Sequence, residues 1–256
     1  MEETAARRAA EALINEHKTG VRFHPQSGLT SIPEAYDVQD RYVELLRAEH
    51  GEPVGYKVGL TSKAMQTFCG IDHPIGGVVL SKRVHESKAA VRIKDFGRLG
   101  LEFEIAVRIK SDMPATAQTA ATVENYVEDV CAAIELVDDR AAEYANLDVR
   151  SVVADNSWNA GIVLSNFASA WPNLETVLGK ATRDGSPIGE GFGGDILGHP
   201  FNSVAWLNIQ LASRGGGLKK GQVVMTGSVM KTVFPTEAAT YGFELGGIGF
   251  VEVRVT

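Results

Sequence analysis

The chain has 256 residues, 44% of them hydrophobic and 22% charged, with a formal net charge of −7. That balance is ordinary for a globular protein and fits one large domain or a main domain with an appendage. An acidic chain without a basic block or aromatic–basic interleaving argues against nucleic acid as a partner, and no apolar run is long enough to span a bilayer. The opening stretch, "MEETAARRAAEALINEHKTG", lacks the apolar centre of a signal peptide, so a cytoplasmic location is expected. It reads instead as a helix from about Glu2 to His17, with Ala9, Leu13 and Ile14 at helical spacing. A second helix is predicted from Ser31 to about His50, where Ser31 caps, Pro33 suits the first turn and Glu34 completes a capping box. Residues 1–52 therefore form a helical N-terminal region, and residues 53–256 a body of different character.

That body begins at "PVGYKVGLTS", where Gly, Val and Ile take over and strand-like runs alternate with turns. Strands are predicted at Val54–Leu60, Gly77–Leu80, Leu101–Ile109, Ile162–Leu164, Val223–Met225 and Phe250–Val255. Thr122–Val137 is predicted helical, because Val123, Val127, Val130, Ala133, Ile134 and Val137 recur at three- and four-residue steps. Val204–Leu211 fits either state; "HPFNSVAWLNIQLASRGGG" has helical spacing and Gly215 as a stop. The class is α+β, a small helical head on a strand-rich body. Cys69 and Cys131 stand far apart without a CxxC or Cys/His spacing, which excludes a disulfide framework or a structural zinc site.

One strand contains an awkward pair. In "LGLEFEIAVRIK", Glu102 and Glu104 emerge on one face, roughly 7 Å apart along the chain, while Leu101, Phe103, Ile105, Val107 and Ile109 take the other. Either that face is solvated or a cation sits between the carboxylates. Gly100 and Ala106 share the face and are small, as where another group approaches closely. In "CAAIELVDDR", Glu135 is embedded among Ala133, Ile134, Leu136 and Val137, an expensive position unless the carboxylate is paired with Arg140 or bound to a cation. Three such carboxylates suit a hard cation with oxygen ligands, Mg²⁺ or Mn²⁺. Lys57, in "GYKVGLTS", either snorkels outward or is held near anions. "SVVADNSWNAG" groups Asp155, Asn156, Ser157 and Asn159 as a turn or as positioners of a substrate. "GHPFNSVAW" supplies His199, and "VVMTGSVMKT" places Thr226 at a strand end suited to an anion. "RDGSPIGEGFGGD" lacks the Lys-Ser/Thr of a P-loop and the Rossmann context, which excludes nucleotide binding on that segment; no GxSxG motif occurs.

Six motifs in this order, "GYKVGLTS", "LEFEIAV", "AAIELVDDR", "SVVADN", "LGHP" followed by "VAWL", and "MTGS", together with "EAYDVQ" in the head, resemble one family. It is the 2-keto-4-pentenoate hydratase / 4-oxalocrotonate decarboxylase branch of the fumarylacetoacetate hydrolase superfamily, and the likeness covers nearly the whole chain. The resemblance implies a roll of mixed β-sheets and a Mg²⁺ or Mn²⁺ ion held by Glu102, Glu104 and Glu135. It implies Lys57 near the keto-acid end of the substrate, with Asp155 as a second catalytic candidate. Leu60, Asn156, Ser157, His199 and Thr226 are the substrate-binding candidates. A small 2-oxo acid is the expected partner, and a homo-oligomer the expected assembly. The implied activity is a lyase of aromatic catabolism acting on a 2-oxo or 2-hydroxydienoic acid, a hydratase of the 2-keto-4-pentenoate type. The alternatives are a 4-oxalocrotonate-type decarboxylase and a C–C hydrolase of acylpyruvate or maleylpyruvate. One departure bears on the choice: in "DHPIGG", Ile75 replaces the acid of the hydratase pattern, as in decarboxylases of the branch. Trp158 stands where a small residue is common, which narrows the pocket.

Overall fold

The structure is a computed structural model that describes residues 1–256. The head consists of α1 (Glu3–Thr19) and α2 (Ile32–His50). Helix α1 stops at Gly20, which takes the left-handed conformation at φ 68° and lets the Val21 N–H reach the Glu16 carbonyl. Ser31 caps α2 by accepting from the Glu34 N–H, but the reciprocal half of the expected capping box is redirected. The Glu34 carboxylate accepts from the backbone and hydroxyl of Thr30 instead.

The body contains β1 (Pro53–Gly59), α3 (Lys63–Phe68), β2 (Ile75–Leu80), β3 (Val84–Glu86), β4 (Ala89–Val91) and β5 (Leu99–Ile109). After α4 (Ala120–Val123) come β6 (Val127–Asp138), α5 (Val149–Ala154), β7 (Asn159–Leu164), β8 (Leu178–Arg183) and β9 (Ser186–Phe192). Helix α6 (Pro200–Ala212), β10 (Val223–Ser228), β11 (Ala239–Leu245) and β12 (Gly249–Val255) complete the chain. Seven strands form one mixed sheet in the order β2-β1-β10-β5-β6-β7-β3, and five form a second, β4-β12-β11-β8-β9. A core of 35 buried residues includes Leu101, Phe103 and Ile105 of β5 together with Phe243, Val251 and Val253 of the second sheet. A separate core of 18 residues joins the head to β2 and α5. Within it the buried Gln39 amide donates to the carbonyls of Gly76 and Val153, stitching α2 to both. No helix is long and apolar enough to cross a membrane.

The helix predicted over Thr122–Val137 is a correction. Only Ala120–Val123 is α-helical, and Val127–Asp138 is the strand β6, paired with β5 along its length and with β7 over its second half. Every residue from Val130 to Val137 is buried, so both faces carry apolar side chains and the alternation that marks a strand is erased. The β-branched Val127, Val130, Ile134 and Val137 suit a pleated sheet better than a helix. Val204–Leu211, open between two states, lies inside α6. The chain turns after it through Gly215 and Gly216, whose N–H groups bond back to the carbonyls of Ala212 and Leu211.

Candidate active site

The larger sheet turns one face to the 35-residue core. Its other face carries Ala106, Cys131, Ala133 and Met225 and, between them, the charged groups. On β5 and β6, Glu102 stands directly opposite Glu135 in register, and Glu104 opposite Ala133. Lys57 of β1 lies in register with Met225 of β10, which in turn faces Ala106 of β5, so the lysine shares this face. The three carboxylates offer oxygens that all lie within 4.8 Å of one another. Lys57 Nζ stands 3.3 Å from Glu135 Oε2 and donates a hydrogen bond to the Ser157 carbonyl at 3.2 Å.

Each carboxylate accepts one hydrogen bond, through a single oxygen, besides the ion pair of Glu135 with Lys57. Thr232 Oγ1 donates to Glu102 Oε1 at 2.7 Å, the Gly227 N–H to Glu104 Oε2 at 2.8 Å, and Asn159 Nδ2 to Glu135 Oε1 at 2.8 Å. The buried oxygens Glu104 Oε1 and Glu135 Oε2 have no hydrogen-bond partner. Buried polar atoms are normally satisfied; Glu135 Oε2 is met only by the ion pair with Lys57 and Glu104 Oε1 by nothing, an arrangement that fits a cation between the carboxylates. The Gly227 contact depends on an irregularity in β10 between Met225 and Ser228. Gly227 has φ +111°, and a Cβ there would come 2.4 Å from Thr61 Oγ1, so only glycine brings its N–H to Glu104.

Electrostatics agree with the geometry. Burial, and then the charges of Glu135 and Glu102, push the Glu104 carboxyl well above the ordinary carboxylate range. Burial pushes Glu135 up to about 7 against the pull of Lys57. Burial alone would lower Lys57, but Glu135, Glu102 and Glu104 overcome it and hold the ammonium above its usual value. One lysine thus faces three carboxylates and balances only part of their charge.

Lys57 and Glu102 open into a cavity of about 520 Å³ that is also lined by Leu60, Met65, Ile75, Ser157, Trp158 and Phe234, while Glu104 and Glu135 lie buried behind them and do not line it. The wall at Ser157 and Trp158 is strained. Asn156, Ser157 and Trp158 have φ of 49°, 49° and 60°, three successive non-glycine residues in the left-handed region, each costing about 1–3 kcal/mol. This turn aims the Ser157 carbonyl at Lys57 and packs the Trp158 ring edge-on against Phe23 and Tyr144.

Other sequence candidates fall elsewhere. The Asp155 carboxylate is taken up by Arg140 at 2.9 and 3.0 Å and by His17 Nε2 at 2.8 Å, a buried clamp on the head rather than part of the carboxylate group. Arg140 binds Asp155 and Glu16, not Glu135. Asn156 bonds both backbone polar groups of Val78 with its amide, extending β2. The Thr226 hydroxyl donates to the Ile105 carbonyl, and the His199 ring caps α6 by accepting from the Phe201 N–H. Neither residue lines the cavity, whereas Leu60 and Ser157 do. A Cβ on Gly100 would come 2.9 Å from Thr232 Cγ2 and 3.2 Å from Phe234, so that gap admits the residue that holds Glu102. Thr232 was invisible to sequence reasoning, and Asn159 was noticed only as one of a polar cluster. The cue for both is a buried carboxylate that needs a donor.

The sequence model described as fumarylacetoacetate (FAA) hydrolase C-terminal matches residues 52–256. A 2-keto-4-pentenoate hydratase of Burkholderia vietnamiensis is 30% identical over 87% of this chain and 85% of its own length. A 2-hydroxyhexa-2,4-dienoate hydratase of Comamonas testosteroni is 27% identical over 99% of this chain and 97% of its own. Among solved structures, 4-oxalocrotonate decarboxylase from Pseudomonas putida G7, complexed with magnesium and adipate, superposes with a TM-score of 0.93 at 26% identity. That alignment covers 100% of this chain and 99% of the decarboxylase.

Proposed function

This chain belongs to the fumarylacetoacetate hydrolase family, and on that premise we propose that it is a divalent-metal-dependent lyase acting on a small 2-oxo or 2-hydroxydienoic acid, a hydratase of the 2-keto-4-pentenoate type. The observation that carries the proposal is the convergence of Glu102, Glu104 and Glu135, with Glu104 Oε1 buried and unpartnered and Glu135 Oε2 met only by the ion pair with Lys57. These residues fit a hard cation, and Mg²⁺ or Mn²⁺ is the proposed ion. A cation held there supplies positive charge to stabilise negative charge developing on the substrate's 2-oxo acid end.

The chain's own groups do the rest. Lys57, kept charged by its carboxylate neighbours, presents Nζ as a proton donor at the acid end and holds it against the Ser157 carbonyl. Leu60, Met65, Trp158 and Phe234 keep bulk water from the conjugated carbons, so that a single positioned water is added. Ser157 contributes through its backbone, since its hydroxyl is used by the Gly76 carbonyl. The reading includes a cytoplasmic homo-oligomer.

A second reading is decarboxylation of the 4-oxalocrotonate type, and one observation favours it. Ile75 lines the cavity where the hydratase pattern has an acid, which removes one group able to activate water. The experiment is a panel of 2-hydroxydienoic and 2-oxo acids with Mg²⁺- or Mn²⁺-loaded protein, following dienol absorbance and CO₂ separately. Water addition is expected, and Lys57→Met should lower kcat by about 10²–10⁴-fold with metal binding retained. CO₂ release without hydration would select the second reading, and full turnover in a chelator would refute both.

A further inference from the structure

The carboxylate end of the cavity accounts for one end of a substrate; the remainder speaks to the other end. At about 520 Å³ the cavity lies in the range that encloses drug-sized ligands, so a five-carbon acid would leave much of it to water. Beyond Lys57 and Glu102 its walls are largely apolar, with Leu60, Met65, Leu147, Val152, Trp158 and Phe234 among them. Four hydroxyls in the lining, those of Ser157, Thr232, Ser228 and Tyr144, are engaged, while those of Thr61 and Ser62 donate to no protein group. Thr232 donates to Glu102, Ser228 donates to the Phe103 carbonyl, and the Tyr144 hydroxyl donates to Asp139.

The charges are equally informative. Arg98 stacks over Phe234 and Tyr144, but Asp139 grips its guanidinium through both carboxylate oxygens, so its charge is already matched. Lys231 makes no ion pair, yet it is exposed and shares the lining with the carboxylate of Asp195, also exposed. A second carboxylate on the substrate would therefore meet a mostly apolar wall, with Lys231 an exposed cation that solvent screens and Asp195 a like charge, and burying it there is costly.

Building on the carboxylate site as read above, we infer that the substrate is a 2-oxo acid with one carboxylate and an uncharged apolar far end of branched-alkyl or phenyl size. The test is titration calorimetry of the Mg²⁺-loaded protein with three stable probes: 2-oxopentanoate, 2-oxo-4-phenylbutanoate and 2-oxoadipate. The phenyl probe should bind at least tenfold more tightly than 2-oxopentanoate, and 2-oxoadipate at least tenfold more weakly. Lys231→Ala should leave all three unchanged, whereas Leu147→Arg, at a half-buried wall position, should improve 2-oxoadipate selectively. If 2-oxoadipate equals or surpasses the phenyl probe, or loses affinity in Lys231→Ala, the substrate inference fails and the metal-site reading stands. If no probe binds in a Mg²⁺-dependent way, the site reading itself fails.

Discussion

Replacing Glu104 with Gln should stabilise the metal-free protein and abolish its response to metal. Glu104 is fully buried, its Oε1 has no partner, and two further carboxylates converge on it with only Lys57 to offset them. The glutamine keeps an oxygen for the Gly227 N–H and turns an NH₂ group towards Glu102 and Glu135, converting repulsion into donation. Relieving an unsatisfied buried acceptor is worth about 1–3 kcal/mol, and more where it is charged. For a domain of this size each kcal/mol moves Tm by about 2–4 °C, so the chelated variant should melt about 2–12 °C above the chelated parent. Metal at a hundred times its Kd should stabilise the parent by about 2.7 kcal/mol and the variant hardly at all. Differential scanning fluorimetry with EDTA and with a Mg²⁺ or Mn²⁺ series reads both effects. A variant that melts lower in EDTA, yet keeps the full metal-induced shift, would show that the three carboxylates are not a cation site.

Three further outcomes follow from the same geometry. Asn159→Ala releases Glu135 Oε1 and should weaken metal binding about 10–100-fold by calorimetry with little change in circular dichroism. Arg140→Met strips the buried Asp155 carboxylate of its main partner and should cost about 3–5 kcal/mol, read as an earlier urea midpoint. Cys131 is buried and its thiol is pushed up to about 12, whereas Cys69 is half-buried. Maleimide at neutral pH should therefore label Cys69 alone until denaturant exposes both, as mass spectrometry would show.

How much of this was legible in the sequence depends on whether the cue was local. Glu102 and Glu104 were legible because alternation survives on β5, where the glutamates interrupt one face and Leu101, Phe103 and Ile105 keep the other apolar. Glu135 was legible as chemistry and misplaced as structure: a strand buried on both faces mimics a helical stripe when its valines fall three and four apart. Asp155 and His199 looked chemical because of their residue types, but each is consumed by a long-range or capping bond that no spacing announces. Thr232 is 130 residues from the carboxylate it holds, a pairing that only the β5 and β10 neighbourhood creates. The strands β3 and β4, three residues each, are too brief to show a period, and β8, β9 and β11, whose apolar alternation is broken by glycine or polar residues, were also missed.

The donors that fix the three carboxylates differ in how they can change over generations. Thr232 and Asn159 act through side chains, so a single codon change can loosen Glu102 or Glu135 and retune the site by degrees. Glu104 is held by a main-chain N–H that every residue except proline possesses, yet the backbone angle and the closeness of Thr61 admit glycine alone. The site therefore has two adjustable supports and one rigid one. Among descendants of this chain, variation in ion preference should accumulate at positions 159 and 232 while position 227 stays fixed.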